Sequence, residues 1–162
     1  MADRGNKPLK RAAMLLLLLI VAAGCDEDKP RREITATLGG AEFRLELAVS
    51  DAQIRKGMMG RTALDRDAGM LFVFRDERSR QFWMKDCLIP LDVLFLDREG
   101  RIVSIHTMPV PDEHERDNPP SYPSRWPAQY AIEINAGRAG ELRLEPGRKI
   151  ELPLTKLQRW AR

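Results

Sequence analysis

The sequence predicts an α+β domain in which β structure dominates, with seven to eight short strands in a strongly bent sheet or partly open barrel and one or two short helices. Three observations predict this class. Apolar and polar residues alternate with period two in several short segments. Turn-forming residues separate these segments at intervals of about ten residues. Windows with helical spacing are few and short.

The first predicted element is a β-hairpin. Residues 34–38 form its first strand, and residues 43–49 alternate apolar with polar or small side chains and form its second. Gly39-Gly40 lies between them, and two glycines permit the positive φ angles of a tight turn.

A short helix is predicted after the hairpin. Ser50 and Gln53 have the spacing of a capping box, in which each side chain bonds the other residue's backbone N–H. Ile54 and Met58 then fall on one helical face, and Gly60 is the predicted end of the helix.

The remaining strands are predicted from short apolar or alternating runs bounded by charged or turn-forming residues. Six of the eleven prolines fall in residues 108–127, which predicts a long loop or flap there, and residues 137–142 form a turn or brief helix. The predicted strands are 70–74, 81–85, 93–96, 102–107, 129–135 and 149–152.

Residues 1–24 have the layout of a signal peptide: a basic start, an apolar run at 12–23, and small residues before Cys25. A helix of twelve residues rises only ~18 Å, against a hydrocarbon core of ~30 Å, so a permanent membrane span is not expected. The run ends Val21-Ala22-Ala23-Gly24-Cys25, which resembles the lipobox of bacterial lipoproteins. The alternative is an ordinary secretory signal with a chance cysteine.

The lipobox resemblance implies that Cys25 becomes the lipidated first residue and that its acyl chains are the contact with a membrane. The expected location is the cell envelope, on the periplasmic face, and Asp26 resembles an inner-membrane retention signal. Charged residues 26–32 then form a tether, residues 33–154 the globular domain, and residues 155–162 a C-terminal tail.

The basic excess belongs to the leader. Of 27 basic and 24 acidic residues, four and one lie in residues 1–24, so the remainder has 23 of each. This balance argues against a nucleic-acid partner.

Cys87 has no intrachain partner if Cys25 carries lipid, so no disulfide is expected in the domain. The position of Cys87 inside an apolar stretch predicts a buried, inert thiol.

Four runs, in this order and spacing, resemble the family called domain of unknown function 192, over residues 34–153. The resemblance implies a compact β-rich α+β domain and no established reaction. Members commonly have Asn-Thr where this chain has Asp86-Cys87, so a role for those two side chains is in doubt. The runs are Gly57-Met58-Met59-Gly60-Arg61, Gly69-Met70-Leu71-Phe72-Val73-Phe74, Phe82-Trp83-Met84-Lys85 with Ile89-Pro90-Leu91-Asp92, and Ala131-Ile132-Glu133-Ile134-Asn135-Ala136-Gly137.

No standard catalytic or cofactor motif is present, so neither a cofactor nor a metal site is predicted. His114 lies among acidic residues in the proline-rich loop, a pattern more typical of a solvated charge run than of metal ligands. His106 falls in a strand pattern and is predicted to be half-buried.

The candidate site consists of polar or amphipathic residues within or beside the most apolar segments. On an alternating strand Trp83, Lys85 and Cys87 share one face, so Lys85 either extends past the indole or pairs with a carboxylate. The candidate ligand-binding residues are Arg61, Asp67, Trp83, Lys85, Asp92, Glu133, Tyr122 and Trp126.

Several interpretations of this set remain open. The charges can pair with one another and fix loops. They can instead line a cleft for a glycan, a peptide or an envelope protein, with the 108–127 loop as its cover and Tyr122 and Trp126 as contacts. We favour this binding module over an enzyme. A hydrolase or transferase using Asp92 and Glu133 as paired carboxylates, and a purely structural component of an envelope complex, are the alternatives.

Overall fold

The computed structural model describes residues 33–161, so the predicted leader, Cys25 and the 26–32 tether lie outside the described residues. No helix within 33–161 has both the length and the hydropathy that crossing a membrane requires. This part of the chain has eight strands and three helices. In chain order they are β1 (Glu33–Leu38), β2 (Ala41–Ala48), α1 (Asp51–Lys56), β3 (Ala68–Arg78), β4 (Gln81–Trp83), β5 (Leu91–Leu96), β6 (Ile102–Met108), β7 (Ser121–Pro123), β8 (Ala128–Asn135), α2 (Arg138–Glu141) and α3 (Leu154–Trp160).

Six of these strands form one sheet in the order β1-β2-β3-β8-β5-β6. Neighbouring strands in this sheet run antiparallel, except β2 and β3, which run parallel and are joined through α1. Strands β4 and β7 form a separate antiparallel pair. The β-dominant α+β prediction is confirmed. Within the described residues the edge strands β1 and β6 do not pair, so the sheet is open rather than closed into a barrel.

The sheet has an apolar core on each face. One, the α3 core, contains Leu71 and Val73 with Leu157 of α3. The other, the β4 core, contains Met70 and Phe72 and packs against β4. Because successive side chains of a strand point to opposite faces, a strand covered on both sides is apolar at every position, as residues 70–74 are.

Helix α1 begins as predicted but ends earlier. The Ser50 and Gln53 capping box is present in full. The helix ends at Lys56, and Gly57 rather than Gly60 follows as its C-cap, with a φ of 44°. The Gly57 N–H donates to the Gln53 carbonyl at 2.9 Å. Glycine adopts this backbone conformation without the steric clash that a Cβ would add, which explains the earlier stop.

The C-terminal segment differs most from the prediction. Residues 155–160, predicted as part of a tail, belong to helix α3, whose Leu157 and Trp160 are buried in the α3 core. The strand predicted at 149–152 is reduced to a single bridge between Lys149 and Arg101. Helix α3 has no side-chain N-cap and spans only about two turns, so the sequence carried no clear signal for it.

Candidate functional site

A cavity of about 590 Å³ opens on the sheet face that carries α1 and β4. Its walls come from the end of α1 and the residues after it, from β3 and β8, and from β4 with the loop that follows. We call it the Glu133 cavity, after the residue on β8 that lines it. This size is typical of small-molecule sites, which are mostly apolar with a few polar groups that orient the ligand.

Aromatic and methionine side chains form the apolar wall of the Glu133 cavity. The pairing of β4 with β7 sets Phe82 opposite Tyr122, and Phe82 packs against the β4 core. Its ring meets Phe72 edge to face, with 4.9 Å between ring centroids. Met58 and Phe72 are almost completely buried. Edge-to-face packing fixes the Phe82 ring, so this wall is preformed.

Glu133 is the buried polar group of the cavity. It shares a sheet face with its cross-strand partners Met70 and Val93, and only 4% of it is exposed. Its Oε2 atom has no hydrogen-bond partner among the described residues. Burial raises the pKa of Glu133 to about 8, although the Arg61 charge opposes this rise. At neutral pH the group is therefore mostly a neutral carboxylic acid that can donate a hydrogen bond.

Arg61 lies near Glu133 but is bound to another carboxylate. Its guanidinium donates to both oxygens of Glu46, with Nη1 2.7 Å from Oε1. This hydrogen bond lowers the pKa of Glu46. Because Arg61 is held by Glu46, only its longer-range charge reaches Glu133. The predicted residues Arg61 and Glu133 are thus neighbours without forming an ion pair.

Cys87 also lines the Glu133 cavity and is buried, as predicted. Burial, with the nearby Glu133 and Asp86 charges, raises the pKa of its thiol to about 11. The thiol is therefore protonated at neutral pH and is a poor nucleophile.

Exposed side chains surround the opening of the cavity. Trp83 is 54% exposed, and the Lys85 Nζ lies 5.7 Å from the centroid of its ring. Arg55 and Lys56 reach the opening from the last turn of α1. None of these three cations pairs with an acidic side chain among residues 33–161. We call Arg55, Lys56 and Lys85 the cationic mouth.

The structure separates Asp92 from Glu133. Asp92 faces Ile134 across the β5–β8 ladder, while Glu133 faces Val93, so the two carboxyl groups project from opposite faces of the sheet. Asp92 is 1% exposed. It accepts hydrogen bonds from Thr107 Oγ1 at 2.7 Å and from the Ala139 backbone N–H at 2.9 Å. The pair cannot act across one bond, and Asp92 ties β5 to β6 and α2.

Like Arg61 and Asp92, three other predicted residues lie outside the lining of the Glu133 cavity. Asp67 pairs with Arg138. Tyr122 packs against His106, with 6.1 Å between ring centroids. Trp126 is 64% exposed.

The proline-rich loop does not cover the Glu133 cavity. Its residues 118–121 border a second cavity of about 600 Å³, which shares Gln81, Phe82 and Trp83 with the first. Strand β4 therefore stands between two openings, and Trp83 lines both.

The sequence prediction missed part of the site. Arg55 and Lys56 lie two and three residues after the capping box, and this position at the end of a helix was the available signal for them. Phe72, Phe74 and Phe82 were indistinguishable from core residues, because only tertiary packing leaves open space beside them.

The chain is similar to a known protein family and to solved structures. The family described as "DUF192: Uncharacterized ACR" matches residues 34–152. A solved protein of Sinorhizobium meliloti 1021, provisionally described as a transcription regulator, is 32% identical, with a TM-score of 0.63 over 74% of this chain and 91% of its own. A protein of unknown function from Novosphingobium aromaticivorans DSM 12444 is 31% identical, with a TM-score of 0.62 over 74% and 84%. No curated protein matches the chain.

Proposed function

Because this chain belongs to the DUF192 family, whose description gives no activity, we propose its function from the cavity. The protein is a cell-envelope binding module for a small ligand. The ligand has an apolar body and an acceptor for a hydrogen bond from Glu133. The apolar wall takes the ligand body. The carboxyl group orients the ligand.

The unpartnered Oε2 of Glu133 is the observation that carries this proposal. A buried polar atom without a partner is unfavourable by about 1–3 kcal/mol, so folded proteins keep few of them. Glu133 lines a cavity large enough for a ligand, and a ligand carbonyl there would accept the missing hydrogen bond. A ligand that accepts this hydrogen bond would give the buried carboxyl group the partner it lacks among the described residues.

The envelope location in this proposal is supported by the leader. Its basic start, short apolar run and ending at Cys25 are typical of a lipoprotein signal peptide. A nucleic-acid function, as the description of the Sinorhizobium protein would suggest, is not part of the proposal. The chain after the leader has equal numbers of basic and acidic residues.

Dimethyl suberate tests the binding function. It is the neutral dimethyl ester of an eight-carbon dicarboxylic acid; its ester carbonyl can accept a hydrogen bond from Glu133, and its chain can contact the apolar wall. We expect saturable binding by NMR titration and a rise in Tm. The Glu133→Leu variant keeps a similar volume without the donor and should bind about tenfold more weakly, the equivalent of one hydrogen bond.

The matched control is Glu42→Gln, a change of an exposed glutamate on β2 outside the cavity, which should leave dimethyl suberate affinity unchanged. Absence of saturable binding to the unmodified protein, or equal affinity in Glu133→Leu, would contradict the proposed function.

A further inference from the structure

We propose that the ligand of the Glu133 cavity is an amphipathic organic anion, whose carboxylate or phosphate lies at the cationic mouth while its apolar chain or ring lies along the apolar wall and reaches Glu133. This inference rests on the proposed binding function and adds the charge and orientation of the ligand.

The charge distribution around the cavity supports an anion. Five basic side chains line it, against the two acidic residues Asp86 and Glu133. Burial holds Glu133 mostly neutral at pH 7 by raising its pKa, so Asp86 is left as the charged acid of the lining. The basic residues are Arg55, Lys56, Arg78, Arg80 and Lys85.

Only some of these basic residues are available to a ligand. Arg80 is buried, donates to Asp76 at 2.8 Å and lies over the Phe74 ring. The Arg78 Nε lies 3.4 Å from Oδ2 of Asp76. Arg55, Lys56 and Lys85 have no acidic partner among the described residues. The cationic mouth is therefore the part of the lining whose basic side chains form no ion pair among the described residues.

The orientation follows from burial. The mouth residues are exposed, whereas Glu133 is almost completely buried. A charged headgroup keeps most of its hydration at the mouth, but placing it beside Glu133 would require its desolvation. Trp83, exposed at the same opening, offers an apolar surface beside the headgroup.

Three methyl esters with an eight-carbon chain and different outer groups test this inference. They are monomethyl suberate with a carboxylate, dimethyl suberate with a neutral ester, and methyl 8-aminooctanoate with an ammonium group. We expect the anion to bind about tenfold more tightly than the neutral ester at low salt and the cation to bind most weakly. This preference should shrink in high salt.

The combined Arg55→Ala and Lys56→Ala variant should reduce the affinity ratio of anion to neutral ester toward one. Arg101→Ala removes an exposed cation that does not line the cavity and should keep the ratio. If the three esters bind with equal affinity and Glu133→Leu still weakens their binding, the anion inference is overturned and the binding function stands. Failure of all three esters to bind would overturn both.

Discussion

The pKa of the Glu133 carboxyl group is higher in the folded protein than in the unfolded chain. In the folded protein burial raises its pKa to about 8, while its ordinary value is 4.5. Between these values the folded state holds a proton that the unfolded chain has released. Stability is therefore fully present below pH ~4.5 and is lost as pH rises toward ~8. The Arg61 charge and the neighbouring Cys87 thiol do not reverse this direction, because their own titration lies above the window.

We predict that the free energy of unfolding falls by up to about 1.4 kcal/mol per pH unit within this window. Glu133→Leu should remove most of this slope and be more stable than the unmodified protein at pH 8. Urea denaturation at pH 5, 6.5 and 8 measures both. Parallel pH profiles for the two proteins would show that Glu133 titrates in the folded state as it does in the unfolded chain.

Residues within the candidate site differed in how far the sequence could predict them. The alternation predicted for residues 81–85 placed Trp83, Lys85 and Cys87 on one face. Strand β4 ends at Trp83 and Cys87 is buried, but the Lys85 Nζ does lie near the indole ring. The same alternation applied to β5 and β8 could not tell which face Asp92 or Glu133 would take, because strand register determines it. The paired-carboxylate hypothesis failed for this reason.

At the scale of elements, the predictable parts were those whose signal is local. The α1 capping box and the β1–β2 turn depend on residues within a few positions of each other. Helix α3 is stabilised instead by distant contacts with the sheet, and its two turns are too short to form alone. The cavity walls likewise combine α1, β3, β4 and β8.

We predict that α3 is a structural part of the domain. Leu157 is fully buried in the α3 core, so Leu157→Ala should lower the free energy of unfolding by about 2–5 kcal/mol through lost burial and a residual cavity. Thr155→Ala, an exposed change on the same helix, should lower it by less than about 0.5 kcal/mol. Denaturant unfolding compares the two. Similar stability of both variants would place 155–161 outside the cooperative fold.

Over the whole molecule the two sheet faces have different roles. The α3 core is closed by α3 and by the hydrogen bonds of Asp92 to β6 and α2. The β4 core is covered by the short β4–β7 pair and by α1, and the Glu133 cavity opens between them. Because side chains pack closely on the α3 face, the other face can keep an open cavity while the sheet stays folded.

The proposed anchor is tested on the full chain. Mass spectrometry of protein purified from bacterial membranes should find an amino terminus at Cys25 carrying fatty acid. Cys25→Ser should lack the acyl mass and retain the leader, because in the proposed anchor the Cys25 thiol accepts the lipid. Cys87→Ser is the matched control and should keep the lipid. An intact Met1, or a processed end without fatty acid, would contradict the anchor.

Strand β1 lies at one edge of the sheet, and among residues 33–161 it pairs with β2 and with no other strand. In its register Glu33 and Glu46 meet at the open end of the hairpin, while Leu38 and Ala41 meet at the turn. Traction on the chain at Glu33 would therefore peel the β1–β2 bonds in succession instead of shearing them together. The hairpin would open one bond pair at a time from its Glu33 end, before the force reached the strands that line the Glu133 cavity.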